Sequence, residues 1–233
     1  MAGHLPRWNE FATRDELAAA LACTVADVLR AAIARRGEAL LAVSGGTTPG
    51  RFFAALSQQE LDWSRVIVTL VDERFVPESS ARSNASLAKA NLLQNQAAAA
   101  RFAPLYHKAG SVEEAASLAD AALRALPWPL DAAILGMGAD GHTASFFPDA
   151  QGLDALLDPA SASIVMPVHA DTAGEPRLTL ALASLVGAGL LAVHIEGAEK
   201  RAVFEAAMAA ERALPIRTVV ERAPREVEIY WAP

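Results

Sequence analysis

Residues Ala39 to Gly50 read ALLAVSGGTTPG: five apolar residues running into a serine, two glycines, two threonines and a proline. A short apolar run bounded by turn residues reads as a strand buried on both faces. The glycine pair permits a tight turn. Pro49 suits the first turn of a helix that Phe52, Phe53 and Leu56 continue. The same pattern occurs twice more. Val66 to Val71 is apolar and ends in Asp72-Glu73-Arg74, and Ala132 to Leu135 is apolar and ends in Gly136-Met137-Gly138-Ala139-Asp140-Gly141-His142. Strands of this kind sit in sheets covered on both sides.

Helical patterns fill the intervals. Thr13, with Glu16 three residues on, forms a capping box for a run with Leu17, Leu21, Val25, Val28, Leu29 and Ile33 at helical spacing, and Gly37 stops it. Ser83 and Ser111 cap two more helices, running through Leu87 to Leu93 and through Leu118 and Leu123. Later strands are expected at Ser163 to Val168, Leu190 to Ile195 and Val227 to Trp231, with a helix from Ala198 to about Ala210. Strands alternating with helices imply an α/β fold with a mostly parallel sheet and helices on both faces. No repeat or low-complexity linker divides the chain, so residues 1–233 read as one domain. In such sheets ligands collect beyond the carboxyl ends of the strands, where strand order switches. If the three strands are neighbours, their polar clusters share one cleft.

Of the 233 residues, 53% are hydrophobic, 20% charged and 6% aromatic, which excludes a disordered chain. The formal net charge of -7 argues against a nucleic-acid partner, which needs a broad basic surface. A small anionic ligand stays compatible, because a few local cations can dominate one pocket. Cys23 is the single cysteine, so no disulfide forms within the chain, and Met1 to Asn9 lacks the apolar core of a signal peptide. The 18 uncharged residues from Leu178 to Ile195 reach the lower limit for a membrane span, but Gly187 and Gly189 break them. They read as a buried helix, turn and strand. A cytoplasmic protein with no membrane partner is expected, either monomer or homodimer.

Three clusters carry possible chemistry. Ser44, Gly45, Gly46 and Thr47 lead into a helix start, where free N–H groups and hydroxyls suit a phosphate, although no Walker lysine follows. Asp72 and Arg74 leave one strand end together and can order a sugar's hydroxyls. Histidine as a residue type titrates near neutral pH, so His142 is a candidate acid or base, with Asp140 two residues before it. The segment from Gly136 also fits G-x-G-x-x-G, but no acidic residue closes a following strand, which argues against a dinucleotide site. Arg177 and Lys200 are cations near other strand ends. The histidines show no metal-ligand spacing.

In this order, VSGGTTP, VDERFVP with Ser83-Asn84 behind it, GMGADGHTASFFP, Arg177-Leu178-Thr179-Leu180 and Gly197-Ala198-Glu199-Lys200 resemble the 6-phosphogluconolactonase family. The matching pieces span Val43 to Lys200. The resemblance implies a Rossmann-like fold shared with glucosamine-6-phosphate deaminases, no metal and no organic cofactor. It implies hydrolysis of a sugar-phosphate lactone, 6-phospho-D-glucono-1,5-lactone, in the oxidative pentose phosphate pathway. On that basis His142 is the expected general base and Arg74 the expected oxyanion partner. Asp72 and Asp140 order His142, Arg74 or substrate hydroxyls. Ser44, Gly45, Gly46, Thr47, Arg177 and Lys200 hold the phosphate. The deaminases carry a catalytic Glu five residues after the histidine, where this chain has Phe147, and tend to Asp-Glu-Tyr where it has Asp72-Glu73-Arg74. A catalytically silent sugar-phosphate sensor is the remaining alternative, and a titrating group at 142 argues against it.

Overall fold

The computed structural model of the chain describes residues 5–209 and 214–233. Strand β1 (Arg7–Glu10) leads into helix α1 (Arg14–Arg36). Thr13 accepts from the Glu16 N–H, the Glu16 side chain reaches back, and Gly37, at φ 85°, closes the helix by donating to the Ile33 carbonyl at 2.8 Å. That is the expected capping box and glycine stop. By length and composition α1 is apolar enough to cross a membrane, yet it lies along the sheet with Leu17, Leu21, Val25 and Leu29 wholly buried.

Strand β2 (Ala39–Val43) and helix α2 (Gly50–Ser57) follow, then strands β3 (Val66–Leu70) and β4 (Asp72–Arg74) and helix α3 (Asn84–Asn91). Next come β5 (Arg101–Phe102), α4 (Val112–Leu123), β6 (Ala132–Leu135), α5 (Leu153–Leu156) and β7 (Val165–Val168). The chain ends with β8 (Arg177–Leu180), α6 (Leu182–Val186), β9 (Leu190–Glu196), α7 (Ala198–Met208), α8 (Pro215–Arg222) and β10 (Glu228–Ala232).

Seven strands form one all-parallel sheet in the order β1-β10-β9-β6-β2-β3-β5. Every residue of β2, β3 and β6 is buried, as strands covered on both faces require. The three are consecutive neighbours, so the expectation of adjacent clusters is met. After β2 the chain builds outward through β3 and β5. It then returns to β6 on the other side, which puts the switch in strand order between β2 and β6.

Three departures from the sequence expectation matter. Leu178 to Leu180, read as the start of a helix, belong to strand β8 (Arg177–Leu180), and the run from 178 to 195 is strand, helix, strand. Strand β8 pairs antiparallel with β4 and β7 in a separate three-stranded sheet, a non-local pairing that outweighs local periodicity. The strand expected from Ser163 begins at Val165 and belongs to that second sheet. Strands β1, β4 and β5 and helices α5 and α8 are additional elements. The expected helix end at Ala210 lies outside the described residues; α7 itself ends at Met208.

Candidate active site

Each strand of the central trio delivers its cluster to the same place. Beyond β2, the Ser44 N–H donates to the Ile134 carbonyl of β6 at 3.0 Å, tying the serine–glycine turn to the neighbouring strand. Among the described residues the amides of Gly45, Gly46 and Thr47 find no protein acceptor, so they are free to receive an anion at the start of α2. Gly46 stands at φ 91°, a conformation that costs glycine little.

Beyond β3, the chain bends at Val71 into β4, whose antiparallel register with β8 sets Arg74 directly opposite Arg177. Two like charges facing each other across a ladder are unfavourable unless an anion lies between or near them. Burial lowers the pKa of the Arg177 guanidinium; Asp72 works against that and Arg74 adds to it. The Nε atoms of both arginines are buried and, among the described residues, without a partner. Arg74 is held from the other end, its Nη1 donating to the Arg82 carbonyl at 2.7 Å and to Asn84 Oδ1 at 2.6 Å.

Glu73 takes no part in the cleft. It is fully buried and accepts from the N–H groups of Arg74, Asn84 and Ala85 and from Ser83 Oγ, at 2.7–2.9 Å. Burial pushes its carboxyl up while these four donors oppose the shift. Its effect is to pin the start of α3 against β4, and so to fix Asn84. Asn84 in turn donates to the Asp72 carbonyl at 2.9 Å and bridges Asp72 to Arg74.

Gly45 is where the first two clusters touch. A Cβ at this position would stand 1.9 Å from Asn84 Oδ1. Gly45→Ala is therefore expected to expel Asn84 from its seat and loosen Arg74. Kinetics should show about a tenfold or greater fall in kcat/KM, since displacements of ~1 Å at a site can cost up to ~10²-fold, with the far-ultraviolet circular dichroism unchanged.

Beyond β6, the loop folds back on itself. Gly138 N–H donates to the His142 carbonyl, Gly141 N–H to the Gly138 carbonyl, and Thr143 Oγ1 to the Gly136 carbonyl. The loop places His142 Nδ1 2.5 Å from Asp140 Oδ1. With Nδ1–H donated to that carboxylate, Nε2 keeps the lone pair, which is the arrangement a base requires. The Phe147 ring stacks on the imidazole at 4.4 Å between centroids, and the Arg177 guanidinium lies over the same ring at 5.6 Å. At Gly138 a Cβ would stand 2.3 Å from His142 Cε1, so only glycine leaves room for the imidazole.

One cleft gathers these groups. Ser44, Gly45, Gly46, Thr47, Asp72, Arg74, His142, Arg177 and Lys200 all line it, and Asp140 stands behind His142. Lys200, from α7, donates to Thr48 Oγ1 at 3.3 Å at the turn end; burial lowers its pKa against the pull of Glu196 and Glu199. The contacts also separate two carboxylates that the sequence left joined. Asp140 holds His142, whereas Asp72 accepts from Ser145 Oγ at 2.6 Å and is tied to Asn84. Ser145, Phe147 and His194 are cleft or supporting residues to which the sequence reading assigned no role in the site, and Asn84 and Thr48 are ones it placed only near the clusters. Asn84 was visible only as a loop residue after the cap Ser83, and Phe147 only as a departure from the deaminase pattern.

Comparison with known proteins gives the family of the chain. The family model described as glucosamine-6-phosphate isomerases/6-phosphogluconolactonase matches residues 12–231. A 6-phosphogluconolactonase of Mesorhizobium japonicum is 64% identical over 97% of this chain and 95% of its own. The chain belongs to the 6-phosphogluconolactonase family. A second 6-phosphogluconolactonase, from Rhizobium meliloti, is 52% identical over 96% of this chain and 97% of its own. The crystal structure of a 6-phosphogluconolactonase from Shewanella baltica superimposes with a TM-score of 0.95 at 34% identity and covers both chains completely. The all-parallel sheet and the small antiparallel sheet are thus the fold of 6-phosphogluconolactonases, and the chain is an enzyme.

Proposed function

We propose that the chain hydrolyses 6-phospho-D-glucono-1,5-lactone to 6-phospho-D-gluconate. The observation that carries this reading is the span of the cleft, with a histidine–aspartate pair at one part of its wall and an anion cradle with cations at another. A phosphorylated sugar lactone needs both. Its phosphate is gripped remotely and its ester carbon is presented to a base.

The phosphate sits on the amides of Gly45, Gly46 and Thr47 and the Ser44 hydroxyl, neutralised by Arg177 and Lys200. This is how an acidic chain receives an anionic substrate, since the positive charge is local. Remote binding energy then orients the ring, and orientation alone can supply up to ~7–11 kcal/mol in ideal cases. His142 Nε2 takes a proton from water as the water oxygen bonds to C1. The carbonyl electrons move to oxygen, and the oxyanion is stabilised by Arg74. On collapse the C1–O5 bond breaks and the departing ring oxygen receives the proton from His142, leaving a carboxylic acid that ionises. Asp140 keeps the imidazole in the basic tautomer throughout, and Asp72 sets Arg74 through Asn84. The alternative deaminase chemistry lacks its proton-moving group here, because Phe147 covers the imidazole face instead.

The direct test is turnover of freshly prepared 6-phosphogluconolactone, followed as acid release at low buffer above the spontaneous rate. No acceleration, or ammonia release from glucosamine 6-phosphate, overturns the proposal. Lys200→Ala separates the two ends of the cleft. Loss of a charge-assisted hydrogen bond of ~1.5–3 kcal/mol should raise KM for the phosphorylated lactone roughly 10- to 100-fold. Unphosphorylated gluconolactone should be hydrolysed no worse than by the parent enzyme, and a further loss on it contradicts the phosphate assignment.

A further inference from the structure

The mechanism above leaves one buried titratable group of the cleft unused. His194, in β9, lines the same cleft as the serine–glycine turn and Lys200, yet is only 2% exposed. Its Nε2 lies 3.3 Å from Glu196 Oε1, a charge-pair distance, and among the described residues neither atom completes a hydrogen bond. Among the described residues its Nδ1 takes part in no hydrogen bond. An imidazole sealed from solvent and short of partners is costly unless something completes it.

The surroundings define what that something is. Glu196, on the same strand, is held by Arg14 of α1 at 3.3 Å through its other oxygen, and Arg51 of α2 adds positive charge near it. His194 holds the Glu196 carboxyl below its usual range. The Phe52 ring of α2 meets the imidazole edge-on at 6.3 Å, and Tyr230 is its neighbour in register on β10, with its hydroxyl engaged by Thr24 and Glu228. On the cleft side stand Lys200 and Thr48. A neutral imidazole can give its one proton to Glu196 and then faces the cleft with nothing to donate. A protonated imidazole gives one proton to Glu196 and a second to an anion in the cleft.

We infer that His194 is a proton-responsive anchor for the substrate's phosphate, taking up a proton when a phosphate dianion enters the turn, with Glu196 as its counter-charge. The inference rests on the phosphate assignment above and goes beyond it. It adds a residue to the anion site and couples binding to pH. The sign follows from linkage. A group that binds its proton more tightly in the complex strengthens binding at low pH, and that contribution is lost as pH rises through its bound-state titration. The ligand's phosphate, whose second ionisation lies near pH ~6, opposes this, because binding the dianion releases protons rather than absorbing them.

Calorimetry with the stable product 6-phosphogluconate at pH 7.5, in buffers of different ionisation heat, distinguishes the two directions. Net proton uptake is expected for the parent protein and for His142→Asn. Zero uptake or release is expected for His194→Gln, with affinity reduced about tenfold. Where His194→Gln does not fold, Glu196→Gln is the substitute, and its uptake should fall by at least half. No uptake by the parent protein, or uptake unchanged in the variant, overturns the inference while leaving the lactonase reading intact. If 6-phosphogluconate does not bind, the same titrations with inorganic phosphate still test His194, and turnover of the lactone tests the lactonase reading separately.

Discussion

His142→Asn should lower kcat on 6-phosphogluconolactone by ~10²–10⁴-fold and leave KM within a factor of about three. The variant keeps a planar polar side chain against Phe147 but cannot accept and return a proton. Because the lactone opens spontaneously, the measured quantity is the enzyme-dependent rate after that background is subtracted. Asp140→Asn is the companion experiment. An amide donating to Nδ1 would leave the proton on Nε2, the wrong nitrogen, so kcat should fall toward the His142→Asn level with little change in KM. If His142→Asn retains the parent kcat, the base lies elsewhere in the cleft.

Arg74→Lys should cost about 10²–10³-fold in kcat, although the formal charge is preserved, because a pre-set donor at a developing oxyanion is typically worth that much. A guanidinium can hold Asn84 and the Arg82 carbonyl with one nitrogen and still present others to the cleft. An ammonium on a flexible stem cannot do both. The fork is what the position requires. A lysine variant with near-parent kcat would show that Arg74 supplies only diffuse positive charge. The facing Arg177 gives a second readout. Saturating 6-phosphogluconate should raise the melting temperature of the parent protein, since a ligand at ~100 times its Kd adds ~2.7 kcal/mol. Much of that shift should be lost in Arg177→Met, where the paired positive charge is gone.

Much of the frame was legible because its residues answer to local rules. Strands β2, β3 and β6 are buried on both faces, so their apolar runs needed no context. Thr13, Gly37, Ser83 and Ser111 mark helix ends by their own hydrogen bonds. Of the small sheet only β7 was legible. The Leu-Thr-Leu of β8 finds its conformation only by pairing with β4, about a hundred residues earlier. Helix α8 was missed although Pro215, Ile216, Val219 and Val220 form its buried face, because valine and threonine there weaken the helical signal. In the site, side-chain types were readable and their partners were not. Asp72 and Asp140 are the same residue in a string of letters. Distances alone assign one to Ser145 and Asn84 and the other to the imidazole. Glu73 lies between two cleft residues in sequence, yet the pleat turns it inward to cap a helix.

The loop that carries His142 rests on the far end of the chain. Ile216 donates its N–H to the Gly141 carbonyl at 3.2 Å, and the Leu214 side chain fills the space a Cβ on Gly141 would need. A nascent polypeptide therefore possesses every reactive group once Lys200 has been made, but not the floor beneath its imidazole. Competence arrives late in synthesis, with the docking of α8. Damage to a stretch of sequence that touches no ligand would be felt as lost turnover.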